Sequence, residues 1–266
     1  MNKNIEILKQ KAVTPPAILG LDHCMADAKI QNRFFFNSPL LVQRLSVLKN
    51  MLCGRNLLIV VMGERGSGKT TLMNHFISNS RRTYKTGRIY VKSRSRFGAE
   101  VCHSLNRQTK CISKKNDGLP SIIIDDAHQL STEEMKLLLQ TAFTLTGKRR
   151  LQSIVLFAEP CIRNRFDEIS ERLPQNSVIE KIFMPPLTEK QTAEYLHHRL
   201  KSAGMIKENP FSGSQMRKIY KLSGGLPGSI NGEALLLLRK INHRRKAFNR
   251  TILGIITRRT RSLTAI

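Results

Sequence analysis

The sequence predicts an α/β protein: a parallel five-stranded sheet with helices on both faces, in three layers, followed by a small all-helical unit. Three observations predict it. A glycine-rich run, Gly63 to Thr71, sits between an apolar strand-length segment and an apolar helix-spaced one. A second short apolar run, Ser121 to Ile124, ends in the two acids Asp125 and Asp126. Strand-like and helix-like segments then alternate up to Met184-Pro185-Pro186, after which only helical spacing remains.

Residues 1–37 read as an irregular N-terminal segment carrying Pro15-Pro16 and the aromatic patch Phe34-Phe35-Phe36, which is expected to pack under the sheet. Ser38-Pro39 starts a helix, a capping residue followed by proline at the first position, with Leu41, Leu45, Leu48 and Leu52 as its apolar face. Asn56–Met62 is apolar and β-branched, as a buried strand is. Thr71–Ile77 returns to helical spacing. Arg88–Val91 reads as a second strand and 99–105 as a weak helix. Ser131-Thr132-Glu133-Glu134 is a capping box opening a helix through Met135, Leu138, Leu139 and Phe143. Leu151–Phe157 and Val178–Phe183 are the last two strands, which closes a core over 38–184. A helical lid is expected over 185–247. A second capping box, Thr188 to Gln191, opens a helix carrying Ala193, Tyr195, Leu196 and Leu200 and ending near Gly204. Further helices follow near 213–223 and 229–246, with Gly224-Gly225-Leu226-Pro227 between them, and 248–266 reads as a basic tail. No internal repeat is present.

The run from Gly63 to Thr71 fits G-x-x-x-x-G-K-[ST] at every position. Gly63, Gly66 and Gly68 allow a tight turn and leave room for a phosphate chain. The N–H groups of the loop, through Glu64, Arg65, Ser67 and on to Thr71, then point at the anion together with the helix N-terminus. Lys69 adds a point charge on the terminal phosphates, and Thr70 offers a hydroxyl to Mg²⁺. A chance glycine-rich turn is the alternative, and the flanking strand and helix argue against it. A carboxylate at the C-terminal end of a buried parallel strand stands where ligands bind. Asp125 is therefore the expected Mg²⁺ partner and Asp126 the expected water-polarising group. The ligands expected from these residues are ATP and Mg²⁺.

Composition bounds the partners. The 266 residues suffice for one large domain or two small ones, and 40% hydrophobic content is ordinary for a folded chain. A formal charge of +26 is not ordinary. It favours acidic partners such as nucleic acid or an anionic membrane surface, unless it reflects only a basic proteome. Two segments concentrate it. Over 81–115 the bases face only Glu100, and over 239–261 no acid follows Glu233. Between the last bases, Ile252–Ile256 is too short to cross a bilayer but long enough to lie in its interface, or else to pack as a terminal helix. The five cysteines are scattered, with no C-x-x-C pair and no zinc spacing, which suits a reducing compartment. The first residues lack the apolar stretch of a signal peptide. A cytoplasmic location is expected.

With these residues placed, the chain resembles an AAA-type P-loop ATPase. Within that class it resembles the ATPases of bacterial type II secretion and pilus systems, the ExeA/GspA group. The resemblance covers about residues 30–240. It rests on the Gly63–Thr71 loop, Ile124-Asp125-Asp126-Ala127-His128 and Leu151–Leu156. In the lid it rests on Pro186–Glu189, Tyr195–Leu200, Gly225-Leu226-Pro227 and Ile230-Asn231. It implies ATP hydrolysis, a homo-oligomer arranged as a ring, and a place in the cytoplasm at the inner face of the membrane. Four departures stand out. Asp126 occupies the place of a glutamate. Glu159 stands near the place of a polar amide, where an acid repels the γ-phosphate unless it is paired or turned away. Gly228 stands where relatives carry a γ-phosphate-sensing arginine, which leaves Arg199 and Arg172 as candidates to sense it. The segment between the two motifs is also shorter than in relatives. Arg172 is in addition the candidate arginine finger, its plainer reading being a solvated helix end. Besides an ATPase, the residues leave open a DNA-binding ATPase of the transposition or replication helper kind, and a non-catalytic ATP-binding adaptor.

Overall fold

The computed structural model describes residues 34–51, 57–80, 86–90, 121–144, 153–171, 173, 175, 177–203, 209–241 and 243. The helix expected over 99–105, the segment Ile252–Ile256, Arg172, and most of the basic stretches 81–115 and 239–261 lie outside these residues. The chain forms two compact units, one over Ala26–Pro186 and the other containing Leu187 onward.

The first unit is built on five parallel strands: β1 (Leu57–Gly63), β2 (Thr86–Tyr90), β3 (Ser121–Asp125), β4 (Ser153–Ala158) and β5 (Val178–Met184). Their spatial order is β2-β3-β4-β1-β5. Every residue of β1 and of β4 is buried, because a parallel sheet covered on both faces has no solvent side. The register sorts the side chains. Leu58, Val60 and Met62 lie level with Ile154, Leu156 and Ala158, and Ile122 and Ile124 with Ile154 and Leu156. These even-numbered residues form one core with Met135, Leu138, Leu139, Ile162 and Ile169. The odd-numbered Ile59, Val61, Ile123, Val155 and Phe157 form the other, with Leu45, Leu48, Leu72, Met73 and Phe76. The period of two along each strand thus divides the apolar set between two helical layers.

Helix α1 (Pro39–Met51) begins where Ser38 Oγ accepts from the Leu41 amide at 3.3 Å. Helix α2 (Lys69–Ser80) buries Leu72, Met73, Phe76 and Ile77, the stripe of one helical face. Helix α3 (Thr132–Thr144) opens on the expected box: Ser131 Oγ accepts from the Glu134 amide at 3.2 Å, and Glu134 Oε2 accepts from the Ser131 amide at 2.8 Å. A short helix α4 (Phe166–Glu171) precedes β5. Phe35 enters the odd-face core and stacks on His75, centroids 3.7 Å apart and planes 5° from parallel. Residues 34–37 have no regular secondary structure, and Phe35 packs under the sheet as expected. Burial pushes the His75 imidazole below its ordinary pKa, and the charge of Lys49 adds to this.

Several strand bounds differ from expectation: β2 begins at Thr86 rather than Arg88, and β1 and β5 each run one residue further, to Gly63 and Met184. β3 stops at Asp125, because Asp126 turns left-handed with φ 51°. β4 runs on to Ala158, which pairs with Met62. β5 is one of the two edge strands among the described residues, β2 being the other, and only Ile182 and Met184 of β5 are buried. On its solvent side the Arg163 guanidinium lies 4.3 Å over the Phe183 ring and Lys181 Nζ lies 4.1 Å over Phe166.

The second unit is helical in its described residues. Helix α5 (Glu189–Ser202) opens on Thr188, whose Oγ1 accepts from the Gln191 amide at 3.3 Å while Gln191 Oε1 accepts from the Thr188 amide at 3.0 Å. Helix α6 (Gly213–Ser223) has a like box on Ser212 and Gln215, a cap not drawn from the sequence. A third helix, α7, runs over 227–241 and buries Ile230, Asn231, Ala234 and Leu238. Tyr195 donates its hydroxyl to Asn231 Oδ1 at 3.0 Å inside this unit, which satisfies both buried polar groups. Gly225 closes the turn between α6 and α7 with φ 75°, and its carbonyl accepts from the Leu187 amide at 2.8 Å.

A side chain at Gly225 would meet the Leu187 carbonyl directly, in a backbone conformation that L-residues avoid. Gly225→Ala is therefore expected to destabilise the helical unit by on the order of 2–4 kcal/mol. Gly232 lies inside α7 with open space around it. Gly232→Ala should stabilise by up to about 1 kcal/mol. Thermal denaturation followed by circular dichroism separates the two, with melting temperatures moving in opposite directions.

Candidate nucleotide and metal site

The site grows from the C-terminal end of β1. Gly63 is the last residue of that strand and pairs with Met184 of β5. A Cβ there would lie 2.5 Å from Ser67 Oγ and 3.0 Å from Met184 Cβ, so the loop folds back over its own first residue. The Ser67 amide donates to the Glu64 carbonyl at 3.0 Å, and Gly66 and Gly68 carry φ of 83° and 94°. Glu64, Arg65 and Gly66 are exposed at the rim. The Leu72 amide donates to the Gly68 carbonyl at 2.9 Å, the first bond of α2.

Lys69 is buried, 7% exposed. Its ammonium donates to the Gly63 carbonyl at 2.8 Å and to the Glu64 carbonyl at 3.0 Å. The cation is thus held inside the curve of the loop by the loop's own backbone. Ser67 Oγ is buried there with no hydrogen-bond partner. Thr70 is exposed, and its Oγ1 donates to Asp125 Oδ2 at 2.9 Å. Asp125 is 4% exposed at the end of β3, and its Oδ1 accepts from the Asp126 amide at 3.1 Å. Thr71 is exposed on the first turn of α2.

Asp126 owes its conformation to this arrangement. With φ 51° and ψ 36° it turns its N–H back toward Asp125, and its carbonyl accepts from the Gln129 amide at 2.9 Å to begin a 3₁₀ turn over Ala127–Gln129. Its own carboxylate caps nothing in that turn and is half-exposed. Aspartate tolerates the left-handed region better than most side chains do.

His128 and Glu159 form a contact that sequence reasoning did not draw. The Glu159 amide donates to His128 Nδ1 at 3.3 Å, and Glu159 Oε1 lies 3.8 Å from His128 Nε2. The contact joins the turn after β3 to the residue after β4. The signal was the histidine three residues after Asp125, but nothing in the spacing named its partner. Gly228 is exposed at the start of α7, in a helical conformation without positive φ. Arg199 is buried inside the helical unit, its guanidinium carbon 5.7 Å from the Tyr195 ring centroid. Burial pushes its pKa down, and Tyr195 opposes the shift.

The residues fit the groups expected of them. An octahedral Mg²⁺ at about 2.0–2.1 Å from its ligands sets adjacent ligand oxygens roughly 2.9 Å apart, and the Thr70 and Asp125 oxygens stand 2.9 Å apart. Among the described residues no cluster of three metal-ligating side chains exists. The unpartnered Ser67 hydroxyl and the inward ammonium of Lys69 suit an anion in the loop.

The backbone at Asp126 gives a direct check. Asp126→Gly should be more stable than Asp126→Ala by about 1 kcal/mol, because only alanine keeps the left-handed penalty. Urea denaturation of both variants without nucleotide measures it, and equal midpoints would contradict the geometry.

No family model matches the sequence, nor does any curated protein. Solved structures do match. One is the ORC2 protein of Aeropyrum pernix, described in ADPNP-ADP complexes, with a TM-score of 0.51 and 13% identity over 82% of this chain and 67% of that one. Another is PCH-2 of C. elegans, with a TM-score of 0.50 and 15% identity over 75% of this chain and 62% of that one. The chain spans about two thirds of the first and less of the second. At this identity the likeness shows architecture: the chain is built on the α/β fold that these two proteins share.

Proposed function

We propose that this chain is an ATPase of the AAA type that binds Mg-ATP at the Gly63–Thr71 loop and hydrolyses it to ADP and phosphate. The observation that carries the reading is the meeting of Thr70 Oγ1 and Asp125 Oδ2 at 2.9 Å beside a buried Lys69. Thr70 and Asp125 would hold Mg²⁺, which supplies charge neutralisation on the phosphates when bound. Lys69 exchanges one of its backbone carbonyls for a phosphate oxygen. The loop amides from Glu64 to Thr71 bind the remaining phosphate oxygens. Asp126, half-exposed beside Asp125, orients a water whose oxygen bonds to the γ-phosphorus as the bridging P–O bond breaks. ADP leaves, and the water's proton passes through the Asp126 carboxylate to solvent.

The resemblance to the secretion-associated group supports a cytoplasmic place beside the inner membrane and assembly into a homo-oligomer. A second reading has its own observation. The charge of +26, gathered over 81–115 and 239–261, favours a DNA-binding ATPase of the transposition or replication helper kind. A non-catalytic adaptor is the reading that remains if nucleotide binds and is not turned over.

Lys69→Ala should weaken ATP binding roughly 100-fold, since a charge-assisted phosphate contact of about 2–3 kcal/mol is lost. It also strips the ammonium from the Gly63 and Glu64 carbonyls, so the loop loosens while the sheet stays folded. Calorimetry with both proteins reads the difference, and equal affinities would remove the loop from the reaction. Asp126→Asn should bind ATP normally and turn it over at least about tenfold more slowly. Unchanged phosphate release would move water orientation to another residue.

The nucleic-acid reading is tested by salt. Neutralising about six phosphates gives a log–log slope near −5 for the binding constant, and truncation before Asn242 should flatten it. A flat response in the full chain, or preference for anionic vesicles over DNA, would set this reading aside.

A further inference from the structure

One margin of the sheet carries cations and aromatic rings together. Among the described residues β5 is hydrogen-bonded to β1 and to no other strand. Successive side chains of a strand point to opposite faces, so Lys181 and Phe183 share one face, and Glu180 and Ile182 the other. Lys181 is exposed, and so is Phe183, by 40%. Two other segments reach this face: the 3₁₀ turn Pro160–Arg165 and the start of α4. From the turn, exposed Arg163 lays its guanidinium 4.3 Å over the Phe183 ring. From α4, the half-buried ring of Phe166 lies 4.1 Å under Lys181 Nζ. Two ring–cation pairs therefore meet on one exposed strand face.

The nearby acids leave these cations to solvent. Glu168 pairs with Arg165 at 3.7 Å. Among the described residues no carboxylate pairs with Arg163 or Lys181, exposed Asp167 included. The negative face of a ring holds a cation in place without cancelling its charge, so both stay available to an anion. Arg163 offers more than charge. A guanidinium lying on one ring presents its other side to a second flat group. Nucleobases stack on arginine planes, and phosphates take the N–H groups at the edge of such a plane. Lys181 is a point charge for the next phosphate. It stands two residues from Phe183, roughly 6.6 Å, about twice the 3.4 Å rise per nucleotide of a duplex strand. That spacing suits bases drawn out of their stack, which a single strand allows. The chain's charge of +26 attracts such a polyanion from a distance. An acidic protein segment would meet the two cations but would give the exposed guanidinium plane no role.

We infer that the β5 margin binds single-stranded nucleic acid, with a base stacked on the Arg163–Phe183 pair and the flanking phosphates on Arg163 and Lys181. The inference rests on the nucleic-acid reading above. It names the form of the partner and a contact surface that lies outside the basic stretches 81–115 and 239–261.

The test follows the fluorescence anisotropy of a short labelled oligothymidylate, alone and annealed to its complement, over a salt series. It uses the full chain and variants checked for an unchanged melting profile. The natural chain should prefer the single strand. Phe183→Leu keeps an apolar side chain and removes the ring. It should weaken single-strand binding about tenfold and leave the salt slope as it was. Lys181→Gln should lessen the log–log slope by about 0.7, the share of one phosphate on a single strand. Arg163→Gln should do both, and Arg163→Lys should regain the slope without the affinity. Phe183→Tyr, which keeps the ring, should bind as the natural chain does. In the double variant Arg163→Gln with Phe183→Leu, the loss should fall short of the two single losses combined, as for groups that form one stack. If Phe183→Leu does not fold, Arg163→Lys against Arg163→Gln reads the same separation of stacking from charge. Single-strand binding that neither Phe183→Leu nor Arg163→Lys weakens overturns the inference, and so does a preference for the duplex. Displacement of the labelled strand by oligoglutamate as readily as by unlabelled oligothymidylate also overturns it and assigns the margin to an acidic protein segment. If the natural chain binds neither single strand nor duplex, the parent reading fails instead.

Discussion

Thr70 Oγ1 and Asp125 Oδ2 meet at 2.9 Å across the end of β4, and the rest of the site depends on that meeting. The two residues lie 55 positions apart, so the chain must place α2 and β3 accurately before the contact exists. The sheet does this. β1 is level with β4 and β4 with β3, residue by residue, and the two apolar layers above and below hold all three strands in that register. A slip of one residue would turn every buried side chain to the opposite face. The alternation that sorts the core therefore also fixes the distance between a hydroxyl and a carboxylate.

Much of this was legible in the sequence because the physics involved is local. The loop from Gly63 to Thr71 carries its conformation in its glycines. Ser131 with Glu134 and Thr188 with Gln191 are boxes whose partners lie three residues apart, and both form as their spacing requires. What was not legible depends on neighbours distant in sequence. No local pattern says that β4 inserts between β1 and β3, and so none could pair His128 with Glu159. The left-handed turn at Asp126 was hidden too. A second acid after a strand reads as one more strand residue until the carboxylate before it claims its N–H. The patch Phe34-Phe35-Phe36 read as packing, and Phe34 and Phe35 are buried, but nothing local named His75 on α2 as the ring that Phe35 stacks on.

The helical unit shows the same division of labour on a smaller scale. Capping at Thr188 and Ser212 sets where α5 and α6 begin, and both rest on side chains within one turn. The turn before α7 rests instead on Gly225, whose carbonyl reaches back across the unit to the Leu187 amide. Tyr195 on α5 and Asn231 on α7 join two helices by one buried polar contact, as Thr70 and Asp125 join a helix to a strand in the sheet unit.

The cations beside the β5 edge, Lys181 and Arg163, have a bearing on solubility. Among the described residues β5 ends the sheet, and an open edge presents unpaired amides and carbonyls to any extended chain it meets. Val178 and Phe183 are exposed along that strand at 50% and 40%, which would make it a favourable template. Lys181 and Arg163 lie across the aromatic rings at this margin. A second strand docking there must first desolvate both charges or displace them from the rings. The like charge of an approaching copy, +26 on +26, adds a longer-ranged repulsion. Edge-to-edge association of two copies is therefore opposed at contact by these two side chains and at a distance by the field of the whole chain. Rising salt weakens the second barrier and leaves the first in place.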